Sequence, residues 1–202
     1  MRPLSKRNAL IVGVLCGFLW AGNGCRTPDA SDSEAGSPTE SDVAGAPESA
    51  PAGLLPFPYR AEQIRDTMTL GFEAETLMVD PSTRARQRWT VVAWDPEGVV
   101  IEYTPLDETG VPAGESVRSR SGWVELRDHA SFPLVTSVRN RDTRSTDLGE
   151  RTGWSYVVED PKAGTVTTFF FADDFPGAPL WMQTRRGDEI LMTMTQIRRS
   201  DV

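Results

Sequence analysis

Residues 165–181 read TVTTFFFADDFPGAPLW, and the reading of this stretch decides the fold. A strand covered on one face alternates apolar and polar side chains, because successive residues point to opposite faces. Phe169, Phe170 and Phe171 break that alternation, so the sheet is expected to be shielded on both faces here. Asp173 to Pro179 cannot prolong the strand, since Pro176 and Pro179 lack ladder donors and Gly177 permits a positive φ. Leu180-Trp181 then opens the next strand.

Working outward, the same rhythm of short strand and turn runs from Gly71 to the end of the chain. Phe72–Val79, Arg86–Trp94, Val99–Thr104, Glu115–Arg120, Leu134–Arg144, Thr152–Glu159, Thr165–Ala172, Leu180–Arg185 and Ile190–Arg198 read as strands. Asp80-Pro81, Asp95-Pro96-Glu97-Gly98, Asp107–Gly110, Asp147-Leu148-Gly149, Pro161–Gly164 and Arg186-Gly187-Asp188 read as the turns. The rhythm is interrupted once. Ser121 is a candidate N-cap, with Trp123, Leu126 and Ala130 at helical spacing behind it, and the helix must stop before Pro133. A second short helix fits Ala61–Met68. The expected fold is therefore mainly β. It is a single antiparallel curved sheet or half-barrel of about nine strands, with one or two short helices and the Trp123 helix on its concave face.

The chain of 202 residues divides into three parts by composition. Residues 1–25 carry a net charge of +3, with basic Met1–Arg7 followed by a 12-residue apolar run, Ala9–Trp20, interrupted only by glycine and Cys16. That is a secretory signal, too short for a transmembrane span. It closes on Gly22-Asn23-Gly24-Cys25 and resembles a bacterial lipoprotein signal, with Gly24 before the cysteine that is lipidated. Gly22 stands where an aliphatic residue is usual. Both cysteines lie in this segment, so the exported part has no internal disulfide. Residues 26–53, net −5, are rich in Ser, Ala, Pro and acidic residues, and such a segment cannot offset its ordering entropy. They read as a disordered tether reaching on the order of 30 Å. Residues 54–202 are the β-domain, net −6, and an acidic domain is a poor partner for nucleic acid.

Chemistry is scarce. His129 is the only histidine, so zinc ligands are lacking and a nucleophilic triad has no supporting motif. At the end of a helix its imidazolium would suit the helix dipole. Asp173-Asp174 and Glu159-Asp160 are solvated turn residues on the plainer view, and the acid and base of an envelope hydrolase on the other. Arginines alternate at Arg84, Arg86, Arg88 and again at Arg139, Arg141, Arg144, as on a solvated sheet face. No catalytic residue, metal site or cofactor is assigned.

Aromatic and methionine residues are what remains. Met192 and Met194 share a face with Ile190, while Leu191 and Ile197 take the other. Trp123, Phe169, Phe171 and Trp181 are the candidates for lining a concavity that holds a lipid, another apolar small molecule, or an envelope protein. A filled core, or a purely structural envelope component, is the competing view.

Gly149, Trp154, Tyr156, Phe169–Phe171 and Phe175-Pro176-Gly177-Ala178-Pro179-Leu180 resemble the C-terminal half of uncharacterised bacterial exported proteins built on antiparallel sheets. Arg151 departs from that pattern, where an aromatic residue is commoner. The expected architecture is also distantly similar to periplasmic lipoprotein-carrier half-barrels, whose curved sheets hold acyl chains. These resemblances imply a lipoprotein anchored through Cys25 to the cell envelope, at the outer membrane facing the periplasm.

Overall fold

A computed structural model describes residues 51–200. The signal-type segment, Cys25 and nearly all of the tether lie outside them. The described residues belong to one compact unit. Its elements are α1 (Ala61–Thr67), β1 (Glu73–Val79), β2 (Arg84–Asp95), β3 (Gly98–Leu106), β4 (Val117–Gly122), α2 (Trp123–Asp128), β5 (Ser137–Thr146), β6 (Gly149–Asp160), β7 (Thr165–Ala172), β8 (Trp181–Arg186) and β9 (Glu189–Arg199). All nine strands join one antiparallel sheet in the order β4-β3-β2-β1-β9-β8-β7-β6-β5. The sheet is open, with β4 and β5 as its edges. The first and last strands of the chain pair at its centre.

Aspartates set many of the tight turns. Asp95 accepts from the backbone N–H of Glu97 and Gly98, both at 2.9 Å. Asp80, Asp107 and Asp160 do the same for the residues that follow them. A carboxylate bonded to the amides two and three residues on mimics a turn before the strands meet. Both edge strands carry alternating arginines, Arg118 and Arg120 on β4 and Arg139, Arg141 on β5, a charge pattern that discourages edge-to-edge pairing.

The connection from β4 to β5 runs from one edge of the sheet to the other, and it is the cover of the inner face. α2 caps differently from expectation: Ser121 is held in β4 opposite Val99, so Gly122 is the N-cap. Its N–H donates to the Glu125 side chain at 3.2 Å. Trp123 and Ala130 are buried and Leu126 packs beside them, the face that helical spacing implied. Beyond α2, Phe132 inserts its ring 4.6 Å from Tyr156, 5.1 Å from Phe169 and 6.2 Å from Phe171. The apolar lead-in Leu55–Tyr59 is pinned under the same connection, with Leu55 N donating to Phe132 O at 2.8 Å and Leu134 N to Gly53 O at 2.9 Å. Residues 134–136 are thereby taken out of the sheet, and β5 begins at Ser137.

Both faces of β7 are covered. Phe171 belongs to the inner core with Tyr59, Ile64, Met68, Trp123 and Phe132. Phe170 belongs to a separate outer cluster with Ala172, Phe175 and Leu180, flanked by Leu148 and Trp181. The unbroken Phe run has this cause.

Candidate functional site

Register places each expected site residue on a face. Trp123 and Phe171 are 5% and 4% exposed and fill the inner core, with the Trp123 indole N–H donating to Asp95 O at 3.0 Å. Phe169 is half-buried on the same face under Phe132. Trp181 pairs with Phe170 and stands on the outer face, where the Arg144 guanidinium lies 4.2 Å from its ring centre. The structure thus brings three of the four together and sets Trp181 apart.

What gathers on the inner face beside them is a row of methionines. Phe169 lies opposite Met182, Met182 opposite Met194, Met194 opposite Met78, and Met78 opposite Ala85. This row crosses β7, β8, β9, β1 and β2, and Met192 lies on the same face opposite Thr184. Met78, Met182 and Met192 are half-buried and, with Met194, belong to neither core cluster. The shared parity of Met192 and Met194 is visible in the sequence. Their alignment with Met78, more than a hundred residues earlier, is not.

One step along the strands from that row comes a polar one. Gln87, Thr76 and Gln196 lie side by side on β2, β1 and β9, and all three are buried. Trp89 is two residues from Gln87 on the same face, opposite Ala74.

The arginines are engaged rather than simply solvated. On the outer face Glu75 is 2% exposed and accepts from Arg86 and Arg88, with Arg198 3.6 Å away. Burial alone would raise the Glu75 pKa, but the hydrogen bonds and charges of Arg86 and Arg88 outweigh it and hold the carboxyl below its usual value. Arg139 stacks 3.5 Å over the Trp154 ring, and Arg141 lies 5.0 Å from it. A recess beside Glu73, Ala74, Glu75, Arg198 and Ser200 has a volume of about 20 Å³, room for a water and not for an acyl chain.

The acidic candidates are dispersed. Asp173 is paired with Arg141, and Asp174 lies 3.6 Å from Arg151. Glu159 and Asp160 end β6, where Asp160 shapes the following turn. Among the described residues no three His, Cys, Asp or Glu side chains come together as a metal-binding group. His129 closes α2, its N–H donating to Glu125 O at 3.1 Å. Burial pushes its pKa down against the pull of Glu125 and Asp128, so the ring is held neutral rather than as the imidazolium that the helix end suggested. Arg186-Gly187-Asp188 forms the β8–β9 hairpin turn, with Gly187 at φ 55°.

No family model matches the chain, and no curated protein matches it. Among solved structures it is similar to a Bacteroides fragilis protein named for an expected export and a YmcC-like fold. The two share 10% identity at a TM-score of 0.40, over 65% of this chain and 96% of that one. So loose a likeness transfers neither a fold assignment nor a function.

Proposed function

We propose that this chain is an exported envelope lipoprotein, anchored through a lipid on Cys25, whose β-domain is a non-catalytic binding module for an apolar ligand. The observation that carries this reading is the inner-face row Phe169, Met182, Met194, Met78, which spans four strands and whose three methionines belong to neither core cluster. Flexible, polarisable methionines suit a surface that must fit an irregular or variable apolar partner. The distant similarity expected from the sequence to lipoprotein-carrier half-barrels, whose curved sheets hold acyl chains, supports this reading, and the tether would keep this domain within reach of a membrane facing the periplasm.

The test is native mass spectrometry of residues 47–202, followed by organic extraction. A reproducible added mass identified as lipid supports the reading. An apo mass that gains nothing when lipid mixtures are offered sinks it. Replacing Cys25 by Ala should abolish fatty-acid labelling of the full-length protein, and persistent labelling would reject the anchor.

A protein partner is a second reading, favoured by the apolar surface where the crossover enters β5. Leu134, Val135 and Val138 are 52%, 92% and 58% exposed there. Crosslinking from Val135 in intact envelopes would capture such a partner, and a monomer-only pattern would count against it.

A further inference from the structure

Seven buried side-chain polar atoms lack a hydrogen-bond partner among the described residues, and four of them share one patch of the inner face. They are Thr76 Oγ1, Gln87 Oε1, Gln196 Oε1 and Trp89 Nε1. Gln196, Thr76 and Gln87 are direct cross-strand neighbours on β9, β1 and β2, with 1%, 1% and 7% exposure. The Gln196 amide is oriented without ambiguity. Its Nε2 donates to Ala178 O at 3.1 Å and Pro179 O at 3.0 Å, which leaves Oε1 as an acceptor aimed elsewhere. A buried polar atom without a partner is costly, and one that persists calls for an explanation. Four together form one buried polar patch that hydrogen-bonding groups from outside the described residues would satisfy.

The chemistry of the occupant follows from the groups present. Both glutamine oxygens accept, the Thr76 hydroxyl accepts or donates, and the Trp89 indole donates. No charged side chain stands in this row. Arg199, opposite Ala74 in the neighbouring row, lies over the Phe72 and Phe175 rings. A carboxylate or phosphate would set its negative oxygens against two glutamine oxygens. A head with hydroxyl groups satisfies all four atoms, donating to Gln87 and Gln196 and accepting from Thr76 and Trp89. In the next row stand Met78 and Met194, so an acyl tail would run along these adaptable methionines.

We infer that Gln87, Thr76, Gln196 and the Trp89 indole form the head-group subsite of the inner-face site, and that its ligand is an uncharged, hydroxyl-bearing single-chain lipid of the monoacylglycerol class. This inference rests on the apolar-ligand reading above.

The probes are 1-monolauroylglycerol, methyl laurate and laurate, offered to residues 47–202 and followed by native mass spectrometry and tryptophan fluorescence. The acylglycerol is expected to bind about tenfold tighter than the methyl ester, the effect of one or two well-made hydrogen bonds. In a Thr76→Val, Gln87→Leu variant the ester should bind as before and the preference should disappear. The variant should fold at least as well as the native domain, since it removes two unmet polar atoms, and a thermal melt checks this. Equal binding of all three probes, unchanged in the variant, overturns the head subsite and leaves the apolar site standing. Tighter binding of laurate overturns the neutral head. Binding of none removes both readings. A crystal structure with ordered waters on all four atoms, undisplaced by the acylglycerol, overturns the subsite.

Discussion

Glu75 Oε1 and the Arg88 guanidinium meet at 2.8 Å across β1 and β2, beneath a carboxylate whose other oxygen is taken by Arg86. One buried acid thus holds the outer face of the two strands together, and its loss strands two guanidinium groups that are about a quarter exposed. Breaking a fully buried pair costs more, so with solvent screening Glu75→Gln is expected to destabilise the domain by about 2–3 kcal/mol. A change below about 0.5 kcal/mol in urea unfolding would show that the cluster is decorative.

The same carboxyl has a pH signature. Its folded pKa lies below the ordinary value, so it stabilises the fold above the unfolded Glu pKa of about 4.3. That contribution is lost as pH falls through the folded pKa. Acid unfolding of Glu75→Gln should therefore be shallower than that of the native domain below about pH 4.3. Superimposable profiles would contradict the assignment.

His129 acts in the opposite pH direction from a helix-capping cation. Because burial lowers its pKa, the unfolded chain takes up a proton below about pH 6.5 before the folded chain does. Stability should decline as pH drops through that range and level off below the folded pKa. His129→Gln should remove this decline. His129 is the single histidine, so its NMR resonance reads the pKa without assignment work, and a value above the ordinary one would refute the buried-neutral picture.

Gly153 marks a contact that no other residue can replace. A Cβ there would lie 1.9 Å from Phe171 O and 2.7 Å from Ala172 Cα, both backbone atoms of the paired strand. Gly153→Ala must part β6 from β7 and should cost about 3 kcal/mol or more. Native-like melting of that variant would mean that the strands are looser than drawn.

Phe132 tests the cover of the inner face. Truncation to Ala removes a ring packed on Tyr156, Phe169 and Phe171 and should cost about 3–5 kcal/mol. Trp181→Ala, on the outer face, should leave inner-face lipid binding intact. Loss of binding in the Trp181 variant would join the two faces in one site after all.

Strand number, turn positions and the helix facing were legible because each depends on neighbours a few residues apart. Asp80, Asp95, Asp107 and Asp160 shape turns from within their own loops, and Trp123, Leu126 and Ala130 share a face by spacing alone. The N-cap of α2 and the start of β5 depart from the local pattern because Ser121 and Leu134 are claimed by distant partners, Val99 and Gly53.

Alternation along the chain determined that Phe169 and Phe171 share a face and that Phe170 opposes them. It carried no information on which strands adjoin, so the central pairing of β1 with β9 appeared only in the tertiary structure. That pairing sets Thr76 beside Gln196 and Met78 beside Met194. The physical reason is register: local pattern assigns a side chain to a face, while only the folded sheet decides which residues from the far end of the chain share it.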